Sequence, residues 1–316
     1  MIYRHVKRHM QALALLLALG CILSTGCSVR SMAVNRLGDA LSNGGSAIAT
    51  DDDPELVKAA APFSLKLMES LIAESPGHRG LLLAAASGFA QYAYAFVQQE
   101  ADEIEERDFE AAGNLRIRAR RLYLRARNYG LRGLEVEHAG FEKALRDSPK
   151  EAVQIVRRGD VPLLYWTAAS WGAAISLSKN NPDLVADLPF VEALIDRALE
   201  LDEAFDAGVT HTFLISYEPA RIGGSGDAAA RSRSHFDRAM ELSGGTQAGP
   251  LLALAEAVSI GNQDRAEFES LLNRALAVDV DAKPEWRLTN LIMQRRARWL
   301  LSRTDKLFYG SYQSMK

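Results

Sequence analysis

The chain is poor in cysteine, in charge excess and in long apolar runs. It has two cysteines in 316 residues, both within the first 27. Two thiols cannot complete a structural zinc site, and no disulfide framework is available. Lys and Arg number 37 against 40 Asp and Glu, a net charge of −3, so no bulk attraction to nucleic acid is expected. After residue 30 no apolar run approaches 18 residues, so nothing in the body reads as a membrane span. Strand-type alternation is nearly absent. No HExxH, glycine-rich phosphate loop or nucleophile motif occurs, and so no catalytic residue, metal or cofactor is expected.

What is present begins at the N-terminus. Arg4, Lys7 and Arg8 precede an apolar stretch from Ala12 to Leu23, and Ser24, Thr25 and Gly26 then lead to Cys27. A positive start, a short apolar core and small residues make a signal peptide. A small residue directly before cysteine is the pattern of a bacterial lipoprotein, in which Cys27 becomes the acylated first residue. Lipoprotein signals usually have leucine three places before the cysteine, where this chain has Ser24. An ordinary secretory signal or an uncleaved anchor is the alternative, and Cys21 is a rival acylation site. Ser28 follows Cys27; the lack of aspartate there points to the outer rather than the inner membrane. The reading is therefore a signal over 1–26, a flexible tether over 27–50 rich in Ser and Gly, a helical body over 51–308, and a tail over 309–316.

The body reads as helix almost throughout. Asp53-Pro54 is an N-cap followed by proline at the first helical position. Leu56, Ala60, Phe63, Leu67 and Leu71 then recur at helical spacing as a core face. A second helix spans about 78–107 and a third Phe109 to Glu135, with Gly130 and Gly133 read as loosening its end. Ser148 and Glu151 make a capping box. "LIDRALELDEAFDAG", "HFDRAMELSGGTQAG" and "LLNRALAVDVDAKPE" share one pattern, with Ala198, Ala239 and Ala275 in common. Spacings of this order fit tetratricopeptide-like pairs, with alanine where two helices cross. The expected fold is all-α, a superhelical stack of antiparallel helix pairs; a compact bundle is the other architecture that fits.

Four stretches could carry function. Acidic residues from Glu100 to Glu110 precede arginines from Arg116 to Arg127, and the plainest reading is charge pairing across a hairpin. Tyr165, Trp166 and Trp171 sit among alanine, serine and glycine. Tyr92 and Phe96 share a face at i,i+4 spacing. Both groups read either as core or as the wall of an apolar ligand site. His211 and Glu218, seven apart beside Tyr217, form a polar cluster without a nucleophile. The last helix has an apolar stripe (Leu288, Leu291, Ile292, Trp299, Leu300) and reads as a cap on the stack.

The segments "DDDPELVKAAAPFSLKLMESL", "GFAQYAYAFVQQEAD", "RARRLYLRARNYGLRGLE", "DVPLLYWTAASWGAAISLSK", "VEALIDRALELDE" and "NLIMQRRARWLL" together resemble the T component associated with tripartite ATP-independent periplasmic (TRAP) transporters. The resemblance runs from about residue 51 to 308. It implies a periplasmic lipoprotein of tetratricopeptide-like helices, membrane-held through Cys27, that self-associates as a trimer. It also implies association with the periplasmic substrate-binding (P) subunit of the transporter and a small hydrophobic ligand. It carries no catalytic residues. Candidate contact residues are Tyr92, Phe96, Tyr165, Trp166, Trp171, His211, Tyr217 and Glu218. A scaffold lipoprotein of outer-membrane assembly is the alternative. A helical cell-wall lytic enzyme would need a catalytic domain for which no segment is left over.

Overall fold

The computed structural model describes residues 35–40 and 45–308, apart from residues 222 and 225. The signal over 1–26, Cys27 and the tail over 309–316 lie outside the described residues. The described residues contain no strand. The main helices are α1 (Pro54–Glu74), α2 (Arg79–Ile104), α3 (Phe109–Glu135), α4 (Phe141–Asp147), α5 (Val161–Ser176) and α6 (Leu188–Leu201). They are followed by α7 (Val209–Tyr217), α8 (Ala228–Ser243), α9 (Gly249–Ser259), α10 (Arg265–Leu276) and α11 (Arg287–Leu301).

Local chemistry sets many of these bounds. Asp53 accepts from the backbone N–H groups of Glu55 and Leu56, both at 3.0 Å, with Pro54 at the first position. Asp108 caps α3 through Ala111 N–H at 2.9 Å, and Asp264 caps α10 through Glu267 N–H at 2.9 Å. The capping box expected at Ser148 does not form; that side chain makes no cap bond to the short helix it precedes.

Helices adjacent in sequence pack against each other: α1 on α2, α2 on α3, α5 on α6, α7 on α8, α9 on α10 and α10 on α11. The alanines shared by the repeats, Ala198, Ala239 and Ala275, are all fully buried. A side chain no larger than a methyl there lets two helix axes approach closely. Gly130 and Gly133 work the same way and do not loosen α3. A Cβ on Gly130 would lie 2.1 Å from Thr167 Oγ1, and one on Gly133 2.5 Å from Leu163 Cδ2. They set the crossing of α3 over α5. By length and composition α2 is apolar enough to cross a membrane, but 56% of that stretch is buried inside the fold, where it serves as a core helix.

Two further expectations change. The core face of α1 is Val57, Leu65, Leu71 and Ile72, while Leu56 is 58% and Phe63 74% exposed. The helix is apolar on two faces: of the five residues at the expected spacing Leu71 is buried and Leu67 packs on the core, while Leu56, Ala60 and Phe63 are exposed. The segment read as tether has structure: residues 35–40 are helical, and Asn35 receives a hydrogen bond from Ser75 Oγ at 2.8 Å. Gly45–Ala49 is also helical and packs on α11.

The acidic end of α2 pairs only in part with α3. Arg116 reaches Asp102 (3.1 Å) and Glu105 (2.7 Å). Lys58 of α1 takes Glu100 at 3.0 Å, and the remaining partners come from the far end of the chain. Arg295 bonds Glu103 at 2.8 Å, Arg296 bonds Asp102 at 2.8 Å and Glu256 at 2.7 Å, and Arg303 and Lys306 both reach Glu106. Leu288 and Ile292 of α11 join the packed cluster of α1, α2 and α3. The last long helix thus returns to the first.

One substitution made twice on α3 tests this packing. Gly130→Ala is expected to destabilise by about 1–3 kcal/mol through overpacking against Thr167. Gly113→Ala, where nothing lies within 4 Å of the new Cβ, should instead stabilise by up to about 1 kcal/mol. Urea unfolding of the two variants would show opposite shifts in midpoint; shifts of the same sign would contradict the close α3–α5 crossing.

Candidate functional site

Gly80, Ala84, Ser87, Gly88 and Ala95 are small, and at helical spacing they form one side of α2. That side cannot fill the space toward α1. The result is a cavity of about 420 Å³. Its wall takes Ala61 and Met68 from α1, Trp166 from α5 and Leu288 and Ile292 from α11, with Ile48 and Ala49 from the N-terminal turn. Where α1 and α2 touch, a Cβ on Gly88 would meet Leu65 Cδ2 at 2.8 Å, so this glycine sets their spacing.

Tyr92 and Phe96 lie on the same wall with their rings 5.7 Å apart. They flank the start of a π-turn, Ala93–Gln98, in which Gln99 N–H bonds Tyr94 O. Such a turn adds a residue to the helix and is often found at functional positions. A second π-turn, Ala255–Ser259, lies in α9. Both meet α11: the Tyr94 hydroxyl is 3.9 Å from Met293 Sδ, and Glu256 accepts from Arg296. Burial first, then the nearby Glu256 carboxylate, pushes the Tyr94 phenol up to about 12.

Among the described residues none that lines the cavity is charged; its polar groups are Ser64, Ser87, Gln91, Thr289, the Tyr92 hydroxyl and the Trp166 indole N–H. Three of the aromatic residues singled out in the sequence, Tyr92, Phe96 and Trp166, therefore meet on one cavity. Tyr165 and Trp171 do not. Tyr165 is buried with its ring 5.8 Å from Phe205. Trp171 is fully buried, donates its indole N–H to Asp187 at 3.0 Å, and is covered by Phe190 and the Arg127 guanidinium. The small residues of α2 and the inner face of α1 were not recognised from the sequence, although the spacing of 80, 84, 88 and 95 was a readable signal.

His211, Tyr217 and Glu218 belong to a different place. Glu218 lines a larger polar groove of about 990 Å³ with Glu192, Asp196 and Arg221. The charges around Arg221 are paired with one another. Arg221 grips Asp196 with two bonds of 2.8 Å and Glu218 with a third, and Tyr217 donates to Glu192 at 3.0 Å. His211 and Glu218 do share a face, joined through His235, which the sequence reading missed. The two histidine Nδ1 atoms are 2.9 Å apart, and His235 Nε2 is 3.9 Å from Glu218. A further cluster, Glu137, His138 and Asp160, has the atom spacing of a cation site. Arg79 already supplies positive charge there, bonded to Asp160, and that bond ties α2 to the start of α5.

A family model, the TRAP transporter T-component, matches residues 50–308. This chain belongs to that family. An uncharacterized protein of Treponema pallidum (strain Nichols) is similar at 29% identity over 306 residues, which cover 91% of this chain and 95% of that protein. The family is a transporter component and not a known enzyme family.

The histidine pair is expected to make this chain less stable in acid. Burial holds both imidazoles below their ordinary pKa near 6.5, and at His235 the neighbouring His211 adds to the effect. The unfolded chain binds those protons more readily, so their contribution to stability is present above pH 6.5 and is lost as pH falls below it. Melting temperature should drop between pH 7 and pH 5, and a His211→Gln, His235→Gln double variant should drop less. An equal drop in both proteins would clear the pair of this role.

Proposed function

We propose that this T-component is a periplasmic lipoprotein, acylated at Cys27, that holds a small uncharged apolar molecule between α1, α2, α5 and α11. It serves a TRAP uptake system by engaging the substrate-binding subunit, and it self-associates, as the family resemblance implies. The observation that carries the ligand reading is the lining of the cavity. A volume of about 420 Å³ lies in the range of small-molecule sites, and Tyr92, Phe96 and Trp166 border it with no charged group. An organic acid entering there would lose hydration and find no cation among the lining residues, Arg118 reaching only the Tyr92 hydroxyl at 3.5 Å, at a cost of several kcal/mol. A hydrocarbon or aromatic solute would lose little and gain burial at roughly 25 cal/mol per Å². The polar groove is larger, but a ligand there would have to displace ion pairs already made.

The full chain should bind the uncharged fluorophore N-phenyl-1-naphthylamine with blue-shifted emission, and solvent extraction of protein purified from cells should release the natural occupant for mass spectrometry. Ser87→Phe fills the cavity and should lower probe affinity at least tenfold while leaving the melting temperature near wild type. Trp166→Ala should weaken binding with modest loss of stability. Trp171→Ala should do the reverse, costing about 3–5 kcal/mol of stability with probe affinity kept in the folded fraction. Undiminished probe binding by a folded Ser87→Phe protein would remove the cavity from consideration. Crosslinking in cells, followed by identification of bound proteins, tests the transporter subunit separately.

A further inference from the structure

The ion pairs that return α11 to α2 leave α3 with a surplus of cations. Arg118, Arg121, Arg125 and Arg132 follow at offsets of three, four and seven, which places them on one stripe. All four are exposed. At 1.5 Å per residue the stripe is ~21 Å long. Three of its guanidiniums lie over aromatic rings: Arg118 over Tyr92 at 5.9 Å, Arg125 over Phe89 at 5.3 Å and Arg132 over Tyr129 at 5.4 Å. Stacking of this kind holds a cation in place without cancelling its charge. Glu69 is the carboxylate nearest the stripe, 3.5 Å from Arg125, and it is shared with Lys66 and the Tyr129 hydroxyl. Among the described residues no carboxylate is paired with Arg118, Arg121 or Arg132. On a chain of net charge −3 this is a local excess and not a general one.

The stripe ends where the N-terminal chain enters. Arg132 donates to Pro76 O at 3.5 Å. The flanking Ser75 and His78 bond Asn35 at 2.8 and 3.2 Å. Cys27 stands eight residues before Asn35, a reach of at most ~28 Å. We infer that the Arg118–Arg132 stripe of α3 is a docking surface for anionic phospholipid headgroups of the membrane that holds the anchor. The choice of a membrane over an acidic protein rests on the Cys27 reading, because that reading puts a bilayer next to this end of α3. Docked there, the arginines would orient the domain, which a flexible acyl anchor alone cannot do.

The test uses the chain from residue 28 onward, which keeps every residue of the packed clusters and has no acyl group. Flotation with phosphatidylcholine vesicles containing 30% phosphatidylglycerol is compared with flotation on pure phosphatidylcholine, at 50 and 300 mM salt. Binding is expected only to the anionic vesicles, weakening with salt. Arg121→Glu, at a side chain with no partner among the described residues, should lower affinity at least fivefold, since one basic residue near such a surface is worth about that factor. The fourfold Arg→Gln variant should abolish binding with the melting temperature retained. Equal binding to both vesicle types, or binding undiminished in these variants, would overturn the assignment. So would loss of the substrate-binding subunit, in place of lipid, from the fourfold variant; that result would make the stripe a protein-docking face. Acylation is read separately, by loss of radiolabelled palmitate from a full-length Cys27→Ser chain, so failure of one reading does not imply failure of the other.

Discussion

Arg296 stands between Asp102 at the end of α2 and Glu256 in the π-turn of α9, and its ring-stacked neighbour Trp299 covers it from one side. Much of the molecule depends on this bridge. Its side chain is only 12% exposed, so the charge is viable only because two carboxylates meet it. The net gain over an apolar contact is small, but the geometry it demands is strict. It brings the last long helix against the second, and Arg295, Arg303 and Lys306 extend the same seam along Glu103 and Glu106.

Two consequences follow for function. Leu288 and Ile292, one to two turns before Arg296, are carried to the face of α2 that small residues leave hollow, so the returning helix completes the cavity wall. The carboxylates that would otherwise neutralise α3 are also taken up, so among the described residues Arg118, Arg121 and Arg132 have no carboxylate partner. One electrostatic choice thus produces an uncharged interior space and a charged outer stripe on neighbouring helices. The polar groove beside α6 and α7 shows the contrary case. It is the larger concavity, but Arg221, Asp196, Glu218 and Glu192 are bound to one another or to Tyr217, and their bonds hold helix register.

Much of the helical layout was legible in the residues. Asp53-Pro54 and Asp108-Phe109 announce their helix starts because a capping carboxylate acts within three residues. The alanines at 198, 239 and 275 announce helix crossings because close packing forbids anything larger. The aromatic residues were harder. Tyr165, Trp166 and Trp171 are neighbours on one helix, and only Trp166 reaches the cavity. Tyr165 lies about 100° and Trp171 about 140° around the helix axis from Trp166, and composition does not say which of these directions meets the cavity. The stripe of Leu56, Ala60 and Phe63 failed for a related reason: α1 is apolar on two faces, and periodicity cannot say which one meets α2.

By itself the sequence determined what acts over short range: all-helical content, most helix bounds and the positions where helices can approach. The wording of its segments also determined the family. Tertiary structure alone decided which charges find each other. Asp102 stands 14 residues from Arg116 and 194 from Arg296, and it bonds both. Coulomb attraction depends on distance in space and not along the chain, so the hairpin partner and the remote one are equivalent until the fold brings α11 back. The cavity is likewise a property of four helices at once. No single one of them encodes a volume, because α2 supplies the small side chains that leave it open and α1, α5 and α11 the larger ones that wall it.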